Sequence, residues 1–154
     1  MKKIIYTLVF GASVMGFKAQ YGTLNAILDK LETQKGINQK VDNVNFDDKK
    51  FIQIKEFDDH TERMFIIIKG KNANFVEVFD DKSRGDSSSN VFSGDVVKTG
   101  KNVVSLRFDK LEGKKIAVPI TKVMLLTKQD DILYLLDSNN KDRWIDETAV
   151  NKKK

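Results

Sequence analysis

Residues 103–108 read Val103-Val104-Ser105-Leu106-Arg107-Phe108, and this alternation decides the fold class. Val104, Leu106 and Phe108 fall on one side of an extended chain, with Val103, Ser105 and Arg107 on the other. That is the two-residue period of a half-buried strand, not the 3.6-residue period of a helix. Turn signals bracket it: Thr99-Gly100-Lys101-Asn102 before and Glu112-Gly113-Lys114 after. Breaks this short favour antiparallel neighbours, because a parallel partner needs a long crossover.

The same pattern extends outward in both directions. Residues 51–57 set Ile52 and Ile54 opposite Gln53 and Lys55, and residues 75–79 set Val76 and Val78 opposite Phe75, Glu77 and Phe79. Residues 64–68 form a continuous apolar run, as expected of a strand covered on both faces. Residues 116–120, 123–127, 132–136 and 143–145 supply further strands. Pro119 has no N–H to give to a ladder, so it marks an edge or bulge between two of these pieces. Residues 82–95, rich in serine and glycine, are expected to be a long polar loop pinned at one end by Val91 and Phe92.

Ahead of the strands one helix is signalled over 23–35. Thr23 is a suitable N-cap, and Leu24, Ile27, Leu28 and Leu31 make a single apolar stripe. Gly36 is placed to end it. The polar flank mixes Asp29 and Glu32 with Lys30 and Lys35, which favours packing on the body over lying on an anionic membrane. The expected fold is therefore mainly β (α+β): one N-terminal helix, then an antiparallel meander of about seven strands, as a curved sheet or small barrel. Several strands are apolar on both faces. A covering helix, an apolar barrel interior, or a partner molecule (a second copy in a homodimer included) would absorb the excess.

Lys2 and Lys3 precede an apolar segment that ends among small residues, the layout of a secretory signal peptide. Cleavage after Gly16 fits the small-residue rule. Cleavage after Ala19 gives a 1–19 signal peptide, a single β-rich domain over 20–150 and a basic tail over 151–154. The expected destination is the periplasm or the medium, with no membrane span after cleavage.

The whole chain carries 27 basic and 22 acidic residues, a net charge of +5. Much of that excess lies in Lys2, Lys3 and Lys18 and in the terminal Lys152, Lys153 and Lys154, so the body between is close to neutral. With no dense basic run inside the body, nucleic acid is not an expected partner. Cysteine is absent, which excludes disulfides, thiolate metal sites and thiol nucleophiles.

Catalytic constellations fare poorly. His60, the one histidine, sits in Asp58-Asp59-His60-Thr61-Glu62, which reads as a solvated turn, and one histidine cannot make a two-histidine zinc site. The pairs Asp47-Asp48, Asp58-Asp59, Asp80-Asp81 and Asp130-Asp131 lie beside turns, where aspartate bonds the local backbone. Residues 137–142 begin like a calcium loop but put Lys141 at a ligand position and lack the central glycine. No nucleophile elbow or phosphate loop occurs, so neither a catalytic residue nor a cofactor is expected. Partner contact is assigned to Arg84, Asp86, Phe92 and Trp144, with closure of the core as the favoured role for Trp144.

These readings point to an exported, non-catalytic binding or accessory module. Two alternatives accompany it: an inhibitor or immunity partner of a hydrolase, acting through residues 82–95, and a carrier of a small apolar ligand.

Overall fold

The computed structural model describes residues 39–40, 45–99 and 102–151. The expected signal peptide, the helix over 23–35 and the end of the basic tail lie outside the described residues.

The meander is an eight-stranded antiparallel barrel. Its strands are β2 (Lys50–Glu56), β3 (His60–Lys69), β4 (Asn72–Asp81), β5 (Ser87–Thr99), β6 (Val103–Leu111), β7 (Lys114–Gln129), β8 (Ile132–Asp137) and β9 (Arg143–Asp146). Each pairs with the next in sequence, and β9 returns to β2 through Phe51↔Asp146 and Ile52↔Ile145. That last pairing turns a curved sheet into a closed ring. A short β1 (Gln39–Lys40) lies on β7 opposite Lys128 and Thr127, and a five-residue α1 (Glu147–Asn151) follows β9. No described helix is long and apolar enough to cross a membrane.

Two of the expected boundaries shift. Residues 82–95 are not a long loop. The turn is confined to 82–86, and β5 begins at Ser87, with Phe79↔Ser88 and Asp80↔Ser87 extending the hairpin. The start of β5 is polar because it runs past the apolar interior into solvent, whereas Phe92 and Val96 further on enter the core. Residues 116–127 belong to one strand of 16 residues, not two. The proline still has the expected consequence. On β6, Phe108 pairs Ile120 while Lys110 pairs Lys115, so residues 116–119 bow out without partners in register.

Alternation sends one set of side chains inward. Phe51, Phe75, Phe108, Met124 and Trp144 fill the barrel, with Phe75 at the centre of an aromatic group. Its ring centroid is 5.6 Å from Phe108, 5.7 Å from Phe92 and 5.9 Å from Trp144. Offset and edge-on contacts of this kind add about 0.5–1.5 kcal/mol each beyond the area buried. The other set points outward, and on β2, β3, β4, β8 and β9 it is also apolar and buried. Gly94 sits where β5 shifts register against β6, and a Cβ there would lie 1.9 Å from the Arg107 carbonyl oxygen. Only glycine allows the strands to approach so closely.

Candidate functional site

The barrel has a dry end and a wet end. At the wet end, the inward positions of β3 and β4 continue past the apolar core as polar residues. Ile68, Ile66 and Met64 are followed on the same face by Glu62 and His60, and Ala73 and Phe75 by Glu77 and Phe79. Ser88 and Asn90 face them from β5, through the pairs Phe79↔Ser88 and Glu77↔Asn90. Glu62, Met64, Glu77, Val78, Phe79, Ser88 and Asn90 line a cleft of about 250 Å³, with Met64, Val78 and Phe79 as its apolar residues and Glu62 and Glu77 as its carboxylates.

His60 stands at the rim and is not a solvated turn residue. It is the first residue of β3, its side chain is 19% exposed, and its ring stacks between two phenylalanines. The Phe57 centroid is 4.4 Å away and the Phe79 centroid 4.6 Å away. Nδ1 lies 2.6 Å from Asp59 Oδ1. A carboxylate only accepts, so Nδ1 carries the proton in that bond and Nε2 is turned toward Glu62 Oε1 at 3.6 Å. The bond from His60 is the main reason the Asp59 carboxyl is held below its usual range, its own backbone amide adding to it.

Two neighbouring turns brace this rim. Lys82 donates its amide to the Asp59 carbonyl at 2.9 Å and its ammonium to Glu56 Oε1 at 3.0 Å. Asp81 accepts from the Ser83 hydroxyl at 2.6 Å and from Arg84 Nε at 2.8 Å. These bonds, Ser83 first and Arg84 next, pull its carboxyl well below the ordinary carboxylate range. On the outer side of the same hairpin, Arg63 forks onto Asp80 through Nε at 2.6 Å and Nη2 at 2.8 Å, and Ser87 Oγ adds a bond of 2.7 Å. Burial pushes the Asp80 carboxyl up, but the bonds from Arg63 and Ser87 and the guanidinium charge outweigh it and leave the carboxyl lowered.

Deeper in, Lys122 reaches over the core. Its ammonium is 5.2 Å from the Phe75 centroid, 5.7 Å from that of Trp144 and 3.8 Å from Asp137 Oδ2.

No family model, curated protein or solved structure matches this chain. The site rests on its geometry alone.

The four partner residues read from the sequence do not form one surface. Arg84 is exposed and bound to Asp81, and Asp86 is in the same turn, where its carbonyl accepts the Asp81 amide at 2.9 Å. Phe92 and Trp144 are 9% and 1% exposed inside the barrel, so they are core residues. The residues that do converge (His60, Glu62, Glu77, Ser88 and Asn90) were legible in part. The alternation over 75–79 already puts Glu77 and Phe79 with the inward Phe75, and carrying the 64–68 run two steps back puts Glu62 with Met64. The stack on His60 had no local signal, because Phe79 lies 19 residues away and is brought in by the β3–β4 hairpin.

Proposed function

We propose that the protein is an exported, non-catalytic binding module that takes its ligand at the wet end of the barrel. The observation that carries this reading is the cleft between β3, β4 and β5. It has two carboxylates, an amide, a hydroxyl and three apolar residues converging on about 250 Å³. That is below the range of about 300–1,000 Å³ typical of small-molecule pockets, and suits a group the size of one side chain. Carboxylates over an apolar floor favour a cationic head on an aliphatic stem, the chemistry of a lysine or arginine projecting from a protein or peptide. The inhibitor or immunity-partner reading has the same support, since Ser88 and Asn90 belong to the 82–95 segment assigned to it. Export rests on the signal-like residues 1–19, and an N-terminal helix over 23–35 belongs to the same picture.

The test is an amide NMR titration with short lysine- and arginine-containing peptides. Saturable shifts at Glu62, Glu77 and Asn90, lost in Glu62→Gln/Glu77→Gln, are the expected result. Shifts that never saturate, or that persist unchanged in the double variant, would remove the cleft as the binding site.

The pairing of His60 with Asp59 favours a second reading, in which the imidazole handles a proton. Asp59 selects the tautomer with its proton on Nδ1, leaving Nε2 to accept at the cleft rim, as a general base would. Turnover of ester, peptide or glycosidic substrates that vanishes in His60→Gln would establish it. The apolar-carrier reading has the least support, since Trp144, Phe51, Phe75, Phe108 and Met124 occupy the barrel interior.

A further inference from the structure

Beside the cleft, β5 leaves one sheet edge open. It pairs with β4 from Ser87 to Asp95, but its pairing with β6 begins only at Phe92, opposite Leu111. After Leu111 the chain turns away into β7, so no described strand lies beside residues 87–90 on that side. All four are exposed. The ladder fixes where their backbone groups point. The Asp81 amide donates to the Asp86 carbonyl at 2.9 Å, so Phe79↔Ser88 and Glu77↔Asn90 are the bonded steps of the hairpin. Ser87 and Ser89 therefore turn their N–H and C=O away from β4. Val91 is in phase with them: its carbonyl accepts the Glu112 amide and its own amide donates to Glu112 Oε1, both at 2.9 Å. There the glutamate stands where a neighbouring strand's carbonyl would. Beyond it, Ser87 and Ser89 offer two N–H and two C=O groups about 7 Å apart, the repeat of a strand.

We propose that this edge takes an extended segment of a partner protein as an added strand, antiparallel to β5, with a lysine or arginine opposite Asn90. The inference rests on the cleft as the binding site and states how a partner enters it. Two observations select this occupant. The first is an undefended edge. Exposed edges are ordinarily blunted by charge, proline or a bulge, and residues 87–90 are three serines and an asparagine. The contrast is β2, which β9 pairs only at Phe51 and Ile52; further along, that strand carries Lys55 and Glu56, in ion pairs with Asp142 and Lys82. The second is charge. Ser88 and Asn90 face the cleft, so partner residues opposite them face it too. From a position opposite Asn90, Glu77 is two strand spacings away, about 10 Å, which a basic stem and the glutamate side chain close between them. No cation among the described residues pairs with Glu77. A second copy would bring the same uncharged residues to this edge and supply none.

The test uses the full chain and an end-capped peptide, lysine-valine-threonine-valine-threonine, with amide exchange followed by NMR. In the proposed register the lysine lies opposite Asn90 and the two valines opposite Ser89 and Ser87. At peptide about ten times Kd, exchange at the Ser87 and Ser89 amides should slow about tenfold, since only the free protein exchanges. The Ser88 and Asn90 amides, already bonded to β4, should change little. Methylating the backbone nitrogens of both valines should abolish the protection, and methylating those of both threonines, which point away from β5, should not. Ser89→Pro removes one outward N–H, spares the β4 ladder and should also abolish it; if that variant fails to fold, the methylated peptides decide on the unaltered chain. Binding that is lost in Glu77→Gln but indifferent to valine methylation would overturn the added strand and keep the cleft. No saturable binding of any peptide would overturn both. Ser87 and Ser89 amides already slow in the free protein would show the edge filled by this chain or a second copy, and would overturn the proposal as well.

Discussion

Replacing Gly94 by alanine tests the barrel's geometry where it is tightest. The added Cβ would meet the Arg107 carbonyl oxygen at 1.9 Å and the Phe108 Cα at 2.7 Å, both backbone atoms that no rotamer change can move. Relief requires β5 and β6 to separate by more than about 1 Å, which breaks or stretches two or three ladder bonds worth about 1 kcal/mol each. It also loosens Phe92, Val96 and Phe108, which flank the bulge and pack in the core. Together the cost is about 3–4 kcal/mol, a large part of a typical domain's stability. Gly113 is the control. Its φ is +79° with open space around the position of a Cβ, so alanine there incurs only the left-handed backbone penalty of about 1–2 kcal/mol. Urea unfolding followed by the fluorescence of Trp144, the only tryptophan, reads both variants. With an m-value of about 1.5 kcal/mol per M, Gly94→Ala should move the midpoint down by about 2–2.7 M, and Gly113→Ala by about 0.7–1.3 M. Equal shifts at unchanged m would refute the close approach of β5 and β6.

Other expectations concern the hairpins and the core. Because the Asp80 carboxyl is lowered in the folded protein, its pairing with Arg63 stabilises above the ordinary carboxylate value of 3.8 and is lost as pH falls below it through the folded value. Asp80→Asn should therefore cost stability at pH 7 and flatten the acid limb of a melting-temperature profile below about pH 4; parallel profiles would deny the pair that role. His60→Ala should cost about 1–2 kcal/mol in thermal unfolding by opening the stack between Phe57 and Phe79, with His60→Phe restoring most of it. A phenylalanine variant no better than alanine would show that stacking is not what holds the ring. Trp144→Ala, which empties a fully enclosed site, should cost about 3–5 kcal/mol by circular dichroism. A loss under 1 kcal/mol would place the indole outside the core.

Much of the ring was readable strand by strand, because half-buried strands declare themselves by alternation. Val104, Leu106 and Phe108 do turn inward as a set, and the short turns do join sequence neighbours. Ser87 to Asn90 escaped because strand pairing in solvent needs no apolar residue, only ladder partners. Closure, which the sequence left open between a curved sheet and a small barrel, was undecided for a different reason. It rests on two register pairs between β2 and β9, some ninety positions apart, and neither carries a local pattern that names its mate. The cleft is an intermediate case. Its carboxylates follow from alternation, but their convergence depends on three strands outrunning the core together, which is a property of length and register.

The late position of β9 has a consequence for synthesis. It stands between β8 and β2, so the ring is completed only when residues 143–146 have been made, after every other strand of the barrel. Until they arrive, β2, the earliest strand of the ring, has an unpaired edge, and the space Trp144 will occupy between Leu135 and Phe75 is empty. A nascent chain in that condition is an open ribbon. Truncation before residue 143 should give no slightly smaller barrel; it should leave a sheet with two sticky borders, prone to joining its own kind.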